Sequence, residues 1–316
     1  MDGYESHFGL TESLFPDGLV QDDDVFKQGC LGDLAGDLAI ALSRKDSVAV
    51  LSGASGTGKS TLATDALKSL DTRLAFTCIA HTPLTGPELL EQLLLDFGLE
   101  SHGKSHVERL QEWRLFLSEM GATDTRVCLL VENADELATE ILVFLHRLTA
   151  ADASLSPGAN VILATAQPAE KLLADEATLA LNQRVRLRRR IEPLDQNETN
   201  AYLAFKFDHA GVALTDIVDD DLAPRLFQLS NGVIRVINNL LDCALDAAAV
   251  ANEPRLTRKR LDQVARDQFG ITELAPTEVD DLLRESAARI PTLTDFVDIE
   301  AEFSSSEQIT LSSTQH

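Results

Sequence analysis

An eight-residue run, Gly53-Ala54-Ser55-Gly56-Thr57-Gly58-Lys59-Ser60, fits the pattern GxxxxGK followed by Ser or Thr. It falls between a short apolar run, Val48-Ala49-Val50-Leu51, and a stretch of helical periodicity from Thr61 to Leu70. Strand, glycine turn and helix in that order is the context in which such a pattern cradles phosphate. Small residues let successive backbone N–H groups turn toward one anion, and a helix beginning near Gly58 adds its positive end. The expectation is a nucleoside triphosphate site for ATP with Mg2+, built from Gly53, Ala54, Ser55, Gly56, Thr57, Gly58, Lys59, Ser60 and Thr61. There Lys59 reaches the β- and γ-phosphates and Ser60 ligates the magnesium.

Around this loop the hydrophobic pattern alternates between strand and helix. Leu31 to Leu42 has helical spacing, Leu74 to Ile79 is β-like, Pro83 to Phe97 and Val107 to Met120 read as helices, and strand signals return at Val127–Val131 and Val161–Thr165. Near-continuous apolar runs of this kind suit a parallel sheet covered on both faces. Beyond Pro193 only helical patterns remain: Asn197–Ala210, Asp219–Leu229, Val233–Ala249 and Thr257–Gln268. The fold class expected is therefore α/β, a P-loop parallel sheet flanked by helices (residues 31–192), with a smaller all-α lid domain over 193–270. From 271 to 316 acidic and Ser-rich sequence predicts a flexible tail.

Hydrolysis also needs a carboxylate for the magnesium and a group that positions water, both at the end of a neighbouring strand. Leu129-Leu130-Val131-Glu132-Asn133-Ala134-Asp135-Glu136 supplies the candidate. Glu132 takes the magnesium side, and Asn133 stands where a general base is expected. Asn cannot accept a proton as a carboxylate does, and loss of a positioned base costs ~10²–10⁴ in rate. Slow hydrolysis is one reading, a nucleotide-gated switch with little turnover another, and Asp135 or Glu136 are the carboxylates that would substitute.

Taken together these segments resemble the AAA+ ATPases of the ExeA/GspA type, associated with general secretion and pilus assembly, and more distantly the TniB-like transposition ATPases. His7-Phe8-Gly9-Leu10-Thr11-Glu12 within residues 1–30 is similar to the opening segment of that family, with Leu14-Phe15-Pro16 in place of its usual Pro-Phe. Leu84-Thr85-Gly86-Pro87-Glu88-Leu89-Leu90 and Phe97-Gly98-Leu99 resemble a further segment. Its DEAQ box aligns with Glu132-Asn133-Ala134-Asp135, a departure at three of four positions. By the same resemblance Gln167 in Ala166-Gln167-Pro168 is sensor 1, and Arg184 in Gln183-Arg184 is a finger reaching a neighbouring subunit. The alternative for Arg184 is membership of a basic strand, Arg184–Arg190. Gly232-Val233-Ile234-Arg235-Val236-Ile237-Asn238 implies Arg235 as sensor 2, coupling nucleotide state to lid angle, with bracing of its own helix as the structural alternative. The resemblance implies a homo-oligomer working on a protein partner, a membrane-associated secretion, pilus or polysaccharide-export assembly. Two other readings stay open: a non-hydrolysing nucleotide-binding scaffold, and an ATP-dependent, DNA-associated regulator of the transposition type.

Composition limits the partners. In 316 residues Asp and Glu number 51 against 27 Lys and Arg, a formal charge of −24, which disfavours nonspecific attraction to nucleic acid or to an anionic membrane. The Arg186–Arg190 and Arg255–Arg260 runs are short, and intersubunit or lid contacts are expected of them before nucleic acid. Cys30, Cys78, Cys128 and Cys243 form no CxxC pair, so neither a zinc site nor a disulfide framework is expected. His102 and His106 stand four apart without a third ligand and read as loop residues, and Trp113 reads as core. No apolar stretch is long enough to span a membrane, so the expected location is cytoplasmic, peripheral to a membrane through a partner.

Overall fold

The computed structural model describes residues 3–15, 25–27, 34–70, 73–80, 85–152 and 157–271. Cys30, Leu31, Pro16, Pro83, Leu84 and the acidic sequence from 272 onward, all invoked above, lie outside the described residues. Residues Met1–Glu273 gather into one compact unit; the second unit, Leu274–His316, falls wholly outside the description.

Five strands form the sheet: β1 (Val48–Ser52), β2 (Leu74–Ile79), β3 (Arg126–Val131), β4 (Asn160–Thr165) and β5 (Val185–Arg190). Their spatial order is β2-β3-β4-β1-β5 and every pairing is parallel. Burial follows position. Central β4 is buried throughout and β1 through Leu51, because helices cover both faces, whereas β5 at the edge alternates half-buried Val185, Leu187 and Arg189 with exposed Arg186, Arg188 and Arg190.

Helix α1 (Tyr4–Phe8) precedes α2 (Leu34–Leu42) and α3 (Lys59–Lys68), which pack on each other, with α2 also against β1 and β5 and α3 against β3 and β4. The other side carries α4 (Gly86–Asp96), α5 (His106–Ala122), α6 (Thr139–Thr149), α7 (Ala169–Leu172) and α8 (Leu179–Gln183). There Leu89, Leu90, Leu93, Trp113, Leu117 and Leu145 share one apolar cluster with Val48, Val50, Leu129, Val131, Val161 and Leu163. The Trp113 indole N–H donates to the carbonyl of Leu148 at 2.9 Å, so the expected core tryptophan also ties α5 to the end of α6.

Helices α9 (Gln196–His209), α10 (Leu214–Ile217), α11 (Leu222–Ser230), α12 (Ile234–Val250) and α13 (Arg258–Phe269) complete the described chain. Their inward faces bury Leu203, Phe207, Leu226, Ile237, Leu241, Leu245 and Leu261. The N-terminal residues dock here too. Tyr4 Oη donates to Asp242 Oδ1 at 2.9 Å, and the Thr11 N–H and hydroxyl both donate to the Ala210 carbonyl, at 2.9 and 3.0 Å.

Candidate nucleotide site

Parallel sheets place their ligand sites at the carboxyl ends of the strands. Gly53 leaves the end of β1, and its N–H donates to the carbonyl of Thr165 at the end of β4 (3.1 Å). The loop closes on itself: buried Thr57 donates from its hydroxyl to the Ala54 carbonyl at 2.9 Å, and Lys59 Nζ donates to the carbonyls of Gly53 and Ala54, both at 2.9 Å. The helix expected from Thr61 begins earlier, at Lys59, so Ser60 and Thr61 both lie in its first turn, half-buried.

The entry to α3 differs from the entries to its neighbours. Thr85 with Glu88, Ser105 with Glu108 and Asp195 with Glu198 form complete capping boxes at α4, α5 and α9. At α3 the N-cap is Gly58, in the left-handed region, with no side-chain cap. Its first N–H groups are thus left to something other than a side chain of the cap, which is the arrangement an anion takes up.

Glu132 follows the end of β3, its N–H donating to the Ile79 carbonyl of β2 at 2.9 Å. Its Oε1 accepts from the Cys78 thiol at 3.5 Å. Partial burial of the sulfur, then the Glu132 charge, push that thiol up to about 12. Asn133 is exposed and left-handed at φ 46° and ψ 43°. Asp135 turns the other way: its Oδ1 accepts from the N–H of Ala166 at 2.9 Å, linking the β3 and β4 exits. Beside it the Gln167 N–H donates to Thr165 Oγ1 at 3.0 Å, leaving half-buried Gln167 at the same edge.

Arg235 arrives from α12. Its backbone N–H donates to the Gly56 carbonyl at 3.0 Å, and its side chain is exposed. A Cβ on Gly56 would sit 2.7 Å from the Cβ of Arg235, at φ +78°, so only glycine admits this approach. The start of α12 is held from behind by Gly232, whose carbonyl accepts from Leu194 N–H at 2.9 Å.

The structure therefore brings Lys59, Ser60, Glu132, Asn133, Gln167 and Arg235 to one edge of the sheet, and leaves Arg184 elsewhere. Arg184 precedes β5 and its carbonyl accepts from Val48 N–H, at the opposite end of β1 from the loop. Its guanidinium donates to the carbonyls of Asp46, His146, Thr149 and Ala159 and to Thr149 Oγ1, with 11% of the side chain exposed. The finger expectation would need this group to reach a neighbour; as placed, each of its nitrogens is engaged inside its own chain. Sequence reading missed the Cys78–Glu132 contact and the bridging role of Asp135, since neither is visible before the β2-β3-β4 order is known. Among the described residues no group of three or more His, Cys, Asp or Glu is placed to hold a metal, and no helix is long and apolar enough to cross a membrane.

Residues 42–173 match the family described as AAA domain. General secretion pathway protein A of Aeromonas hydrophila is 26% identical over 274 residues, covering 85% of this chain and 49% of that protein, so the chain spans about half the length of the curated relative it matches. Among solved structures, Cdc6p from Pyrobaculum aerophilum shares the fold at a TM-score of 0.63, with 14% identity over 83% of this chain and 70% of that one. The Aeropyrum pernix ORC1 protein, solved with DNA, gives 0.63 as well, at 19% identity over 81% of this chain and 68% of that one. The phosphate-type loop, the parallel order of the sheet and the family match over residues 42–173 agree, and that segment is similar to an AAA domain.

Proposed function

We propose that this chain binds ATP with Mg2+ at the Gly53–Thr61 loop and uses the bound state as a switch or slow motor acting on a protein assembly. The observation that carries the reading is the α3 entry: where α4, α5 and α9 have capping boxes, it is capped by a glycine in the left-handed region and followed at once by Lys59 and Ser60. Backbone N–H groups of the loop take the phosphates, and Lys59 swings from the Gly53 and Ala54 carbonyls onto them. Ser60 and Glu132 are the residues that would hold the metal, which when bound neutralises charge on the phosphates.

Turnover is slow in this reading because Asn133 cannot take a proton from water and the Asp135 carboxylate is engaged with Ala166. Residues 193–270 act as the lid and report the nucleotide through Arg235, and the assembled form is a homo-oligomer. Likeness to a general secretion pathway protein suggests a secretion-type partner, met peripherally at a membrane.

The test is direct. Isothermal titration with ATP and Mg2+ gives saturable binding to the wild-type chain and none to Lys59→Ala, with phosphate release well below one per second. Equal binding by Lys59→Ala would overturn the site. Fast turnover that is lost in Glu132→Gln and kept in Asp135→Asn would overturn the slow-hydrolysis part alone.

A further inference from the structure

Away from the nucleotide edge, α5 and α6 enclose a cavity of about 640 Å³. One wall runs along α5 from His106 through Leu110 and Arg114 to Leu117; the other carries Phe144 and Arg147. The α5 wall spans twelve residues of helix, about 16 Å at the α-helical rise. The Trp113–Leu148 hydrogen bond fixes the spacing of the walls, and the His106 and Phe144 rings stack at 6.1 Å and 29°.

Two arginines of this groove face no carboxylate. Arg109, Arg188, Arg189, Arg190, Arg225, Arg258 and Arg260 each face a carboxylate. Arg114 and Arg147, both exposed, have neither an ion pair nor a hydrogen bond among the described residues. Asp152 also lines the groove and is already engaged, so in a chain of net charge −24 the two unpaired cations, over the apolar surface of Leu110 and Phe144, form a surface complementary to an acidic amphipathic partner. The groove is long and its cations stand on opposite walls, which suits the ridge of a helix better than the compact shape of a phosphate.

We propose that the α5/α6 groove docks an acidic amphipathic helix of a protein partner, whose carboxylates meet Arg114 and Arg147 and whose apolar face lies on Leu110 and Phe144. The proposal is independent of nucleotide binding.

The experiment uses the full chain and a fluorescein-labelled helical peptide with glutamates on one face and leucines on the other, beside its twin with lysines in place of the glutamates. Anisotropy reads binding, and Trp113, the chain's single tryptophan, gives an internal signal from the groove wall. Expected is saturable, salt-sensitive binding of the acidic peptide, weakened about tenfold by Arg114→Glu or Arg147→Glu and abolished by both. The variants keep the melting temperature and ATP affinity of the wild type, which shows that they fold. Equal binding of the lysine peptide, binding that survives both substitutions, no saturation up to ~1 mM, or displacement of the peptide by millimolar inorganic phosphate would each overturn the assignment.

Discussion

The backbone N–H of Arg235 donates to the carbonyl of Gly56 across 3.0 Å, so the first turn of α12 and the phosphate-type loop share a hydrogen bond before any side chain is considered. On the proposed reading, movement of the loop when phosphate binds would be passed to α12 through this main-chain bond, with the exposed Arg235 guanidinium free to add a charge contact.

Arg235→Ala is expected to change the stability of the ligand-free chain by less than ~0.5 kcal/mol, since the side chain is exposed and its backbone bond survives. The rise in melting temperature caused by ATP with Mg2+ should shrink. Thermal melts with and without nucleotide check both halves; an unchanged ATP-dependent rise would remove Arg235 from the site.

Gly232 and Gly98 both have positive φ, +76° and +70°, but a Cβ on Gly232 would lie 1.8 Å from the Leu194 carbonyl oxygen while one on Gly98 meets nothing within 4 Å. Gly98→Ala should therefore cost only the left-handed strain, about 1 kcal/mol, and Gly232→Ala ~3 kcal/mol or more. Urea denaturation of the pair isolates the close approach from the backbone angle.

Much of this fold is readable along the chain. The runs at Val48, Val127 and Val161 lie within one residue of β1, β3 and β4, because strands buried on both faces are apolar throughout. The loop residues can be named from a local motif, and Gln167 and Arg235 from the resemblance, yet their meeting at one edge depends on β1 lying between β4 and β5, and pairing between distant strands leaves no local mark. Arg184 shows the limit most clearly. Its neighbours in sequence suggest a surface basic strand or a finger, while its actual partners are carbonyls from 25 to 138 residues away.

Those partners set a further expectation. Arg184→Ala should destabilise the chain by ~2–4 kcal/mol, as several buried acceptors lose a donor, while ATP affinity at the far end of β1 stays at the wild-type value. Denaturant melts and a nucleotide titration decide it, and a stability-neutral loss of turnover in the oligomer would restore the finger.

His146, beside Arg184, has its pKa lowered, first by burial and then by the positive guanidinium. The unfolded chain therefore binds this proton more readily than the folded one. The stability associated with neutral His146 is complete above about pH 6.5 and declines as pH falls below it. Wild type and His146→Gln, compared by urea denaturation across pH 5 to about 7, should diverge on the acid side; parallel curves would count against the assignment.

Cys78 is exposed yet held up to about 12 by partial burial of its sulfur and by Glu132. Iodoacetamide at about pH 8 should alkylate it far more slowly than a free thiol, and Glu132→Gln should speed the reaction. Mass spectrometry of the modified chain gives the rate, and no acceleration in the variant would show that the carboxylate does not govern the thiol.

The docking of residues 3–15 on α9 and α12 has a consequence for how the chain is made. Tyr4 and Asp242 are 238 positions apart, so a ribosome working at its usual pace exposes the first helix on the order of 10–50 s before its resting place exists. For that interval the buried faces of Tyr4, Phe8 and Leu10 are open to the cell, and the opening segment can be set down only after α9 and α12 have been translated.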